Sequence, residues 1–303
     1  MNLDEDEITV IEPVYAPWDG RRVPVVLLGG YLGAGKTTVI NEMLARTDKP
    51  IAVMVNDVGD VNIDARLIER QDGDTLDLSG GCVCCSLKNG FLEAFDQLRQ
   101  REHPPELVVV ELSGIANPAS AAGMASTPGF MLDSIVVLVD LDQFLEAEDE
   151  SSVVADAVRA QVRTGDVLLL SKRDLVDDDR VEAVRARLAD LAADTPVLLA
   201  DSAHSTAGLV GLGTRRPIPE IGRGASLFDQ FHTTSLPIDG AIRRHELDEI
   251  LDGLPTNTVR AKGIVQIETG ELLLVQIAGK RRMVEPLPMA ETVEPTDLVV
   301  ITA

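Results

Sequence analysis

The stretch Gly30-Tyr-Leu-Gly33-Ala-Gly35-Lys36-Thr37 decides the fold, because it fits the phosphate-binding pattern G-x-x-x-x-G-K-[ST]. It follows an apolar run and precedes a segment of helical periodicity, which is the strand-loop-helix context that this pattern requires. Glycines in such a turn let backbone N–H groups point inward onto phosphate oxygens, and the start of the helix adds a favourable dipole. Lys36 is expected to reach the terminal phosphates, and the Thr37 hydroxyl is expected to ligate Mg²⁺. The sequence therefore predicts a nucleoside triphosphate site. Its predicted binding residues here are Gly30, Gly33, Ala34, Gly35, Lys36, Thr37 and Thr38.

Short apolar runs recur on either side of this loop, and they alternate with longer segments. Runs of this length, bounded by Gly, Pro or charged residues, are typical of strands buried on both faces. The predicted strands are Val25–Leu28, Ile51–Val55, Leu107–Val110, Ile135–Val139, Val167–Leu170 and Val197–Leu199. Helical periodicity predicts helices over Thr37–Arg46 and Arg180–Ala193. The alternation indicates an α/β fold, a P-loop NTPase with a mostly parallel sheet covered by helices.

The C-terminal quarter of the chain has a different pattern. Residues 213–226 are rich in Gly, Pro and Arg and are predicted to be a linker. The predicted elements beyond it are strands Phe231–Leu236, Val259–Ile267, Leu272–Ile277 and Leu298–Ile301 and a helix over Ala241–Leu251. We therefore expect an acidic extension (1–22), a nucleotide-binding domain (23–212), the linker (213–226) and a smaller α+β domain (227–303).

The charge balance limits the partners. Fifty acidic against 27 basic residues give a net charge of −23, which would repel a nucleic-acid backbone or an anionic membrane surface. The sequence contains no run of about 18 apolar residues, and its first residues lack the features of a signal peptide. We expect a cytoplasmic protein that binds neither nucleic acid nor membrane. The oligomeric state stays open.

A later motif points to the base of the nucleotide. GTPases usually carry Asn-Lys-x-Asp after a late strand, and here the sequence is Ser171-Lys172-Arg173-Asp174. Lys172 and Asp174 are the predicted guanine-binding residues, with Ser202 as a weaker addition. Serine at position 171 lacks the amide that normally ties the loops together, so we expect that tie to be missing. An ordinary helix-entry loop with a capping residue is the alternative.

A buried strand ends in an acid within Val108-Val-Val-Glu111-Leu-Ser-Gly114. Glu111 can hold Mg²⁺ through water, so we group it with Lys36 and Thr37 as catalytic residues. Gly114 is expected to let its N–H approach the γ-phosphate. Asp140 ends the next predicted strand, and the sequence leaves open whether it belongs to the site or caps a helix.

The three cysteines of the chain, Cys82, Cys84 and Cys85, lie within four residues. Thiolates favour zinc and similar soft or borderline metals, so this cluster predicts a transition-metal site. Inert buried thiols and a redox role are the alternatives.

Together these motifs resemble the CobW-like family of P-loop GTPases, which includes cobalamin-synthesis proteins, nitrile-hydratase activators and zinc chaperones. The resemblance rests on the segments 29–38, 56–60, 81–85, 111–114, 171–174 and 260–263. It implies GTP hydrolysis with GTP and Mg²⁺ in the first domain, coupled to delivery of Zn²⁺ or Co²⁺ to a client metalloprotein or metal-insertion enzyme. The C-x-C-C thiols would hold that metal with help from Asp60, while Asp57 would serve the Mg²⁺ side.

Two other functions remain open from the sequence. One is a regulatory module whose nucleotide state controls docking to a client without metal transfer. The other is an ATP-dependent kinase or ligase, which Lys172 and Asp174 disfavour.

Overall fold

The computed structural model describes residues 22–46, 50–55, 74–77, 86–101, 105–149, 153–200, 231–278, 281–287 and 295–302. Several predicted features lie outside these ranges. They are nearly all of the acidic extension, the linker at 213–226, Ser202, Asp57, Asp60 and the three cysteines.

The first part of the chain alternates strands and helices, as the sequence predicts. Its strands are β1 Val23–Gly30, β2 Ile51–Val55, β3 Asp74–Asp77, β4 Leu107–Glu111, β5 Phe130–Asp140, β6 Val167–Ser171 and β7 Val197–Leu199. Its helices are α1 Lys36–Arg46, α2 Ser86–Arg99, α3 Pro118–Ala122, α4 Phe144–Asp149, α5 Val153–Thr164 and α6 Asp178–Leu191. A 3₁₀ turn, Arg173–Leu175, follows β6.

The seven strands form one sheet in the order β3-β2-β4-β1-β5-β6-β7, and every pairing is parallel. The register pairs Leu28 with Glu111 and Asp140 with Ser171. The carboxyl ends of the central strands therefore meet at one edge, which is where open parallel sheets bind ligands.

Alternating side chains of β1 enter different core clusters on the two faces of the sheet. Val25 and Leu27 belong to the cluster that includes residues of α2, α5 and α6, whereas Val26 and Leu28 pack with α1. The sheet is thus buried on both faces and covered by helices, which confirms the predicted α/β P-loop NTPase class.

A second, antiparallel sheet is built from the C-terminal part. Its strands are β8 His232–Leu236, β9 Thr258–Gln266, β10 Leu272–Ala278, β11 Arg281–Pro286 and β12 Leu298–Thr302, in the order β11-β10-β9-β12-β8. Helix α7, Arg244–Asp252, packs Leu247 and Leu251 onto one face of this sheet. The expected smaller α+β unit is confirmed. Its helix begins three residues later than predicted, because Ile242 pairs with Ile267 and the backbone N–H of Arg243, the residue before the helix, donates to the Glu246 carboxylate at 2.8 Å.

The two sheets pack against each other. Phe231 immediately precedes β8 and Ile301 lies in β12, so both come from the second sheet. They are 7% and 1% exposed and lie in a core cluster of the first sheet. Within the described residues, no helix is both long and apolar enough to cross a membrane.

Candidate functional site

The P-loop lies at the carboxyl edge of the first sheet, between β1 and α1. Gly30 has φ +136°, and a Cβ at this position would lie 2.8 Å from the Leu138 carbonyl oxygen on β5. Both the backbone conformation and the close approach of β5 therefore require glycine. Helix α1 begins at Lys36, so the loop leads directly into a helix N-terminus, which favours bound anions.

Lys36, Thr37 and Glu111 lie together at this edge. The Lys36 side chain is buried and its Nζ donates a hydrogen bond to the Gly30 carbonyl oxygen at 2.9 Å. The Thr37 hydroxyl lies 3.4 Å from each carboxylate oxygen of Glu111, which is 4% exposed. Hydroxyl and carboxylate oxygens form the donor set that Mg²⁺ prefers, so this pair fits a magnesium ion beside bound phosphates.

Ser171 ties the end of β6 to the P-loop. Its buried hydroxyl donates to the Ala34 carbonyl oxygen at 2.8 Å and lies 3.4 Å from the Val139 carbonyl oxygen. The expectation that serine leaves these loops untied is therefore wrong. A hydroxyl is enough here because β6 ends within hydrogen-bond distance of the loop.

Lys172 and Asp140 form an ion pair at the same edge. The Lys172 Nζ lies 2.9 Å from Asp140 Oδ2, and Lys172 adopts a left-handed backbone conformation with φ 60°. The other carboxylate oxygen of Asp140 accepts the Asp142 N–H at 3.0 Å. Asp140 accepts an N–H in the turn that precedes α4 and not one of the helix itself, so it is not the helix cap, while its membership of the nucleotide site stays open. Asp174, two residues on, is exposed in the 3₁₀ turn.

Gly114 packs against the P-loop at Leu32. A Cβ at Gly114 would lie 2.8 Å from the backbone nitrogen of Leu32. The buried Gln161 amide donates to the carbonyl oxygens of Gly114 and Ala116, each at 2.9 Å. The segment after β4 thus packs against the loop at Leu32 and is bonded to α5 through Gln161, while the role of Gly114 at a γ-phosphate stays a prediction.

An open cavity of about 450 Å³ lies over the P-loop. Its described lining comprises Gly33, Gly35, Lys36, Thr37, Thr38, Asn41, Glu111, Lys172, Leu175, Arg260, Ala261, Lys262, Gln276, Ile277, Ala278 and Met283. Four of these side chains are basic and one is acidic, although the whole chain carries a net charge of −23. The cavity is therefore suited to an anion, and its size is typical of a small-molecule site.

The cavity wall from the second sheet was not predicted. Arg260 and Lys262 alternate along β9, and Gln276 and Ala278 lie opposite them on β10. The signal available in the sequence was the Arg260-Ala-Lys-Gly263 motif, whose two basic residues are one strand period apart.

The predicted transition-metal ligands lie in ranges that the structure does not describe. Among the residues it does describe, no three His, Cys, Asp or Glu side chains come close enough to hold a metal ion. The cysteine site thus stays a prediction, as do Ser202, Asp57 and Asp60.

Two protein-family models match the sequence that forms this fold and site. Residues 24–199 match the model of the CobW/HypB/UreG nucleotide-binding domain, and residues 231–303 match that of the cobalamin synthesis protein cobW C-terminal domain. Since the first match alone covers more than half of the 303 residues, the chain belongs to the CobW/HypB/UreG family.

Individual relatives have similar sequences. A zinc chaperone CobW from Pseudomonas aeruginosa is 26% identical over 329 residues, which covers 92% of this chain and 87% of the relative. A zinc chaperone CobW from a Sinorhizobium species is 26% identical over 63% of this chain and 62% of its own length. The zinc-regulated GTPase metalloprotein activator 1 of Schizosaccharomyces pombe is 33% identical over 54% of this chain, which spans only 42% of that relative. The Zn(II)-bound YjiA GTPase from E. coli aligns with a TM-score of 0.44 and 21% identity, covering 93% of this chain and 94% of the other.

Proposed function

We propose that this chain is a GTP-hydrolysing metallochaperone, which couples GTP binding and hydrolysis to delivery of a transition metal to a client protein. The observation that carries the proposal is the cluster of Lys36, Thr37 and Glu111 in a basic cavity at the carboxyl edge of a parallel sheet. The names of the relatives, zinc chaperone and zinc-regulated GTPase metalloprotein activator, support the coupling to metal.

The proposed hydrolysis depends mainly on positioning and charge. Water attacks the γ-phosphorus, the bond to the bridging oxygen breaks, and GDP and inorganic phosphate leave. Lys36 and the N–H groups of the P-loop hold the phosphates and offset the charge that develops on them. Thr37 and Glu111 would hold Mg²⁺, which when bound neutralises phosphate charge.

Guanine selectivity is proposed for Asp174, with Lys172 beside it. Three features support this: Asp174 is exposed, the Asp140 ion pair fixes Lys172, and Ser171 holds the end of β6 against the P-loop. Ser202 is the proposed fourth contributor, and GTP is the proposed nucleotide over ATP.

The proposed cargo site consists of Cys82, Cys84 and Cys85, assisted by Asp60. Zinc is the favoured metal because of the relatives' names, and cobalt is the second choice since thiolates also bind it. Clustered thiols stay reduced in the cytoplasm, where we propose that the protein acts.

We propose that the segment after β2 is the switch, because it carries Asp57 and Asp60 and leads towards the cysteines. Order imposed by a γ-phosphate and released on hydrolysis is a known switching mode. The proposed domain organisation is the one expected from the sequence: extension 1–22, nucleotide-binding domain 23–212, linker 213–226 and C-terminal domain 227–303.

The test is the rate of GTP hydrolysis by the full chain and by Lys36→Ala. Loss of the buried lysine should lower kcat/KM at least about 100-fold, because a charged group on the transferring phosphate contributes several kcal/mol. Arg244→Ala is the matched control, since this half-exposed cation lies on α7 and should leave the rate unchanged. Equal rates for wild type and Lys36→Ala would contradict the proposed site. ATP, assayed in parallel as a competitor of GTP, tests whether the site prefers guanine to adenine.

A client that still binds the GTP-loaded protein after chelation of all metal would favour the regulatory module over the metallochaperone. Binding to the client is measured by pull-down with and without chelator.

A further inference from the structure

One face of the second sheet forms a wall of the nucleotide cavity. On β9, Ala261 and Val265 point towards α7 and pack in the C-terminal core. Side chains alternate along a strand, so Arg260 and Lys262 point the other way, and both line the cavity above the P-loop.

The strand register places Arg260 next to the P-loop itself. Arg260 lies directly opposite Ala278 on β10, and opposite residues of an antiparallel pair project from the same face. A Cβ at Gly33 would lie 2.5 Å from the Ala278 Cβ, so β10 touches the loop at this residue. Arg260 therefore belongs to the part of the wall that stands beside the loop.

Charge distinguishes this wall from the rest of the molecule. Two of the four basic residues in the described lining, Arg260 and Lys262, come from the second sheet, and Lys262 is only 5% exposed. Cations gathered in a recess of a strongly acidic protein attract an anionic ligand. A guanidinium can donate two parallel hydrogen bonds to one phosphate, which a lysine cannot do.

We propose that Arg260 and Lys262 bind the terminal phosphates of the nucleotide in the P-loop, so that the C-terminal domain completes the nucleotide site of the same chain. The proposal rests on the proposed nucleotide site and adds the other domain to it. GTP then holds the two sheets together more strongly than GDP, because GDP lacks the phosphate that these cations reach. By reciprocity, docking of the second sheet raises GTP affinity.

The experiment measures dissociation constants of fluorescent GTP and GDP analogues with Mg²⁺ for the full chain and its variants Arg260→Gln, Lys262→Gln and Lys36→Ala. The matched control is Arg282→Gln. Arg282 lies on the same sheet, but its guanidinium pairs with Asp248 and Asp252 of α7 on the far side, at 2.6 Å each. Thermal unfolding without nucleotide reports the fold of every variant.

Arg260→Gln should weaken GTP binding about 10- to 100-fold, the usual effect of losing a hydrogen bond to a charged group, and should weaken GDP binding less. Lys262→Gln should act in the same direction, and Arg282→Gln should match wild type. The inference is overturned if both cavity variants keep the wild-type ratio of GTP to GDP affinity, whether both affinities are unchanged or both fall by one factor. Arg260→Lys, which retains the charge, replaces the glutamine variant if that variant does not fold, and an intermediate ratio is expected.

Failure of the underlying nucleotide site gives a different result. In that case wild type does not bind GTP, or Lys36→Ala binds it as tightly as wild type does.

Discussion

A single hydroxyl, that of Ser171, connects two loops of the proposed nucleotide site. It lies at the end of β6, just before the proposed base-binding loop, and it bonds to the loop that is proposed to hold the phosphates. The bond to the Ala34 carbonyl oxygen is 2.8 Å long and buried. Its removal leaves a buried carbonyl without this donor, which costs on the order of 1 kcal/mol. The proposed base and phosphate subsites are therefore fixed relative to each other by this residue.

Ser171→Ala should lower the melting temperature by about 2–4 °C, the shift that about 1 kcal/mol produces in a domain of this size, and should weaken GTP binding several-fold. The reason is the loss of the tie between β6 and the P-loop. Calorimetry and fluorescent-nucleotide titration measure the two effects. Ser120→Ala, which removes an exposed hydroxyl, should leave both values unchanged. A Ser171→Ala variant with wild-type GTP affinity would show that the tie does not serve the site.

At the residue scale, the sequence predicted Lys36, Thr37 and Glu111 as neighbours because a P-loop and an acid at the end of a parallel strand meet at one sheet edge. It did not predict the Ser171 contact, because that contact depends on how close β6 comes to Ala34. The distance between two backbone segments is a property of the packed sheet, and no local pattern encodes it.

At the scale of elements, the P-loop and β10 are in direct contact through Gly33. Gly33 has φ +77°, and a side chain there would meet Ala278. The loop is therefore restricted by its own conformation and by the second sheet.

Gly33→Ala should lower the free energy of unfolding by about 1–3 kcal/mol and weaken GTP binding, because the left-handed conformation is strained for alanine and β10 must shift. A second substitution, Ala278→Gly, should restore the part of the lost unfolding free energy that comes from the contact with β10. The part that comes from the strained backbone of residue 33 should remain. Urea denaturation of the single and double variants measures this coupling. Gly123→Ala is the control, since Gly123 has φ −64° and open space around it. No difference between Gly33→Ala and Gly123→Ala would refute the contact.

A second connection between elements joins three helices through Glu148 of α4. Its buried carboxylate accepts hydrogen bonds from Arg159 of α5 and Arg187 of α6, with Nε to oxygen distances of 2.8 Å in both cases. The bond from Arg187 is the larger cause that lowers the pKa of Glu148 from 4.5 to about 2, and Arg159 adds to it. Since the folded-state pKa is lowered, this stabilisation is complete above pH 4.5 and is lost as pH falls towards 2.

Glu148→Gln should lower the free energy of unfolding at pH 7 by about 2 kcal/mol, because charged hydrogen bonds are lost. Its stability should also depend less on pH below 4.5 than that of wild type. Denaturation at several pH values measures both. Glu146→Gln, whose half-exposed carboxylate pairs with Arg180, should change stability by less than about 1 kcal/mol. The prediction is wrong if the two variants behave alike.

The strands β2 and β7 have the bounds that the apolar runs predicted. For β2 the reason is burial on both faces, which requires an apolar residue at every position, whereas β7 is a short, partly exposed edge strand whose three residues are nevertheless all apolar. Strands β3 (DTLD) and β11 (RRMVEP) were missed because each lies at a sheet edge and carries polar residues. Their pairing partners hold them in the sheet, and a sequence window does not contain those partners.

At the scale of the whole molecule, the cavity is shared between two sheets, and it brings together residues as distant in the chain as Gly33 and Ala278. The alternating patterns predicted the two units, and periodicity alone could not predict how they dock. In the proposed account the docking matters for function, because a nucleotide bound in this cavity would contact both sheets and its hydrolysis would change the contacts of both. The same nucleotide state is proposed to control the cysteines.

The most direct test of the metallochaperone account is the zinc affinity of the full chain, measured by competition with a chromophoric chelator in the presence of Mg²⁺ and either GTP or GDP. Coupling between two sites typically amounts to 1–3 kcal/mol, so we predict that zinc binds about 5- to 150-fold more tightly with GTP, and that the Cys82/Cys84/Cys85→Ser variant loses both the affinity and its dependence on nucleotide. Equal zinc affinity with GTP and GDP, or equal affinity of wild type and the cysteine variant, would contradict the account.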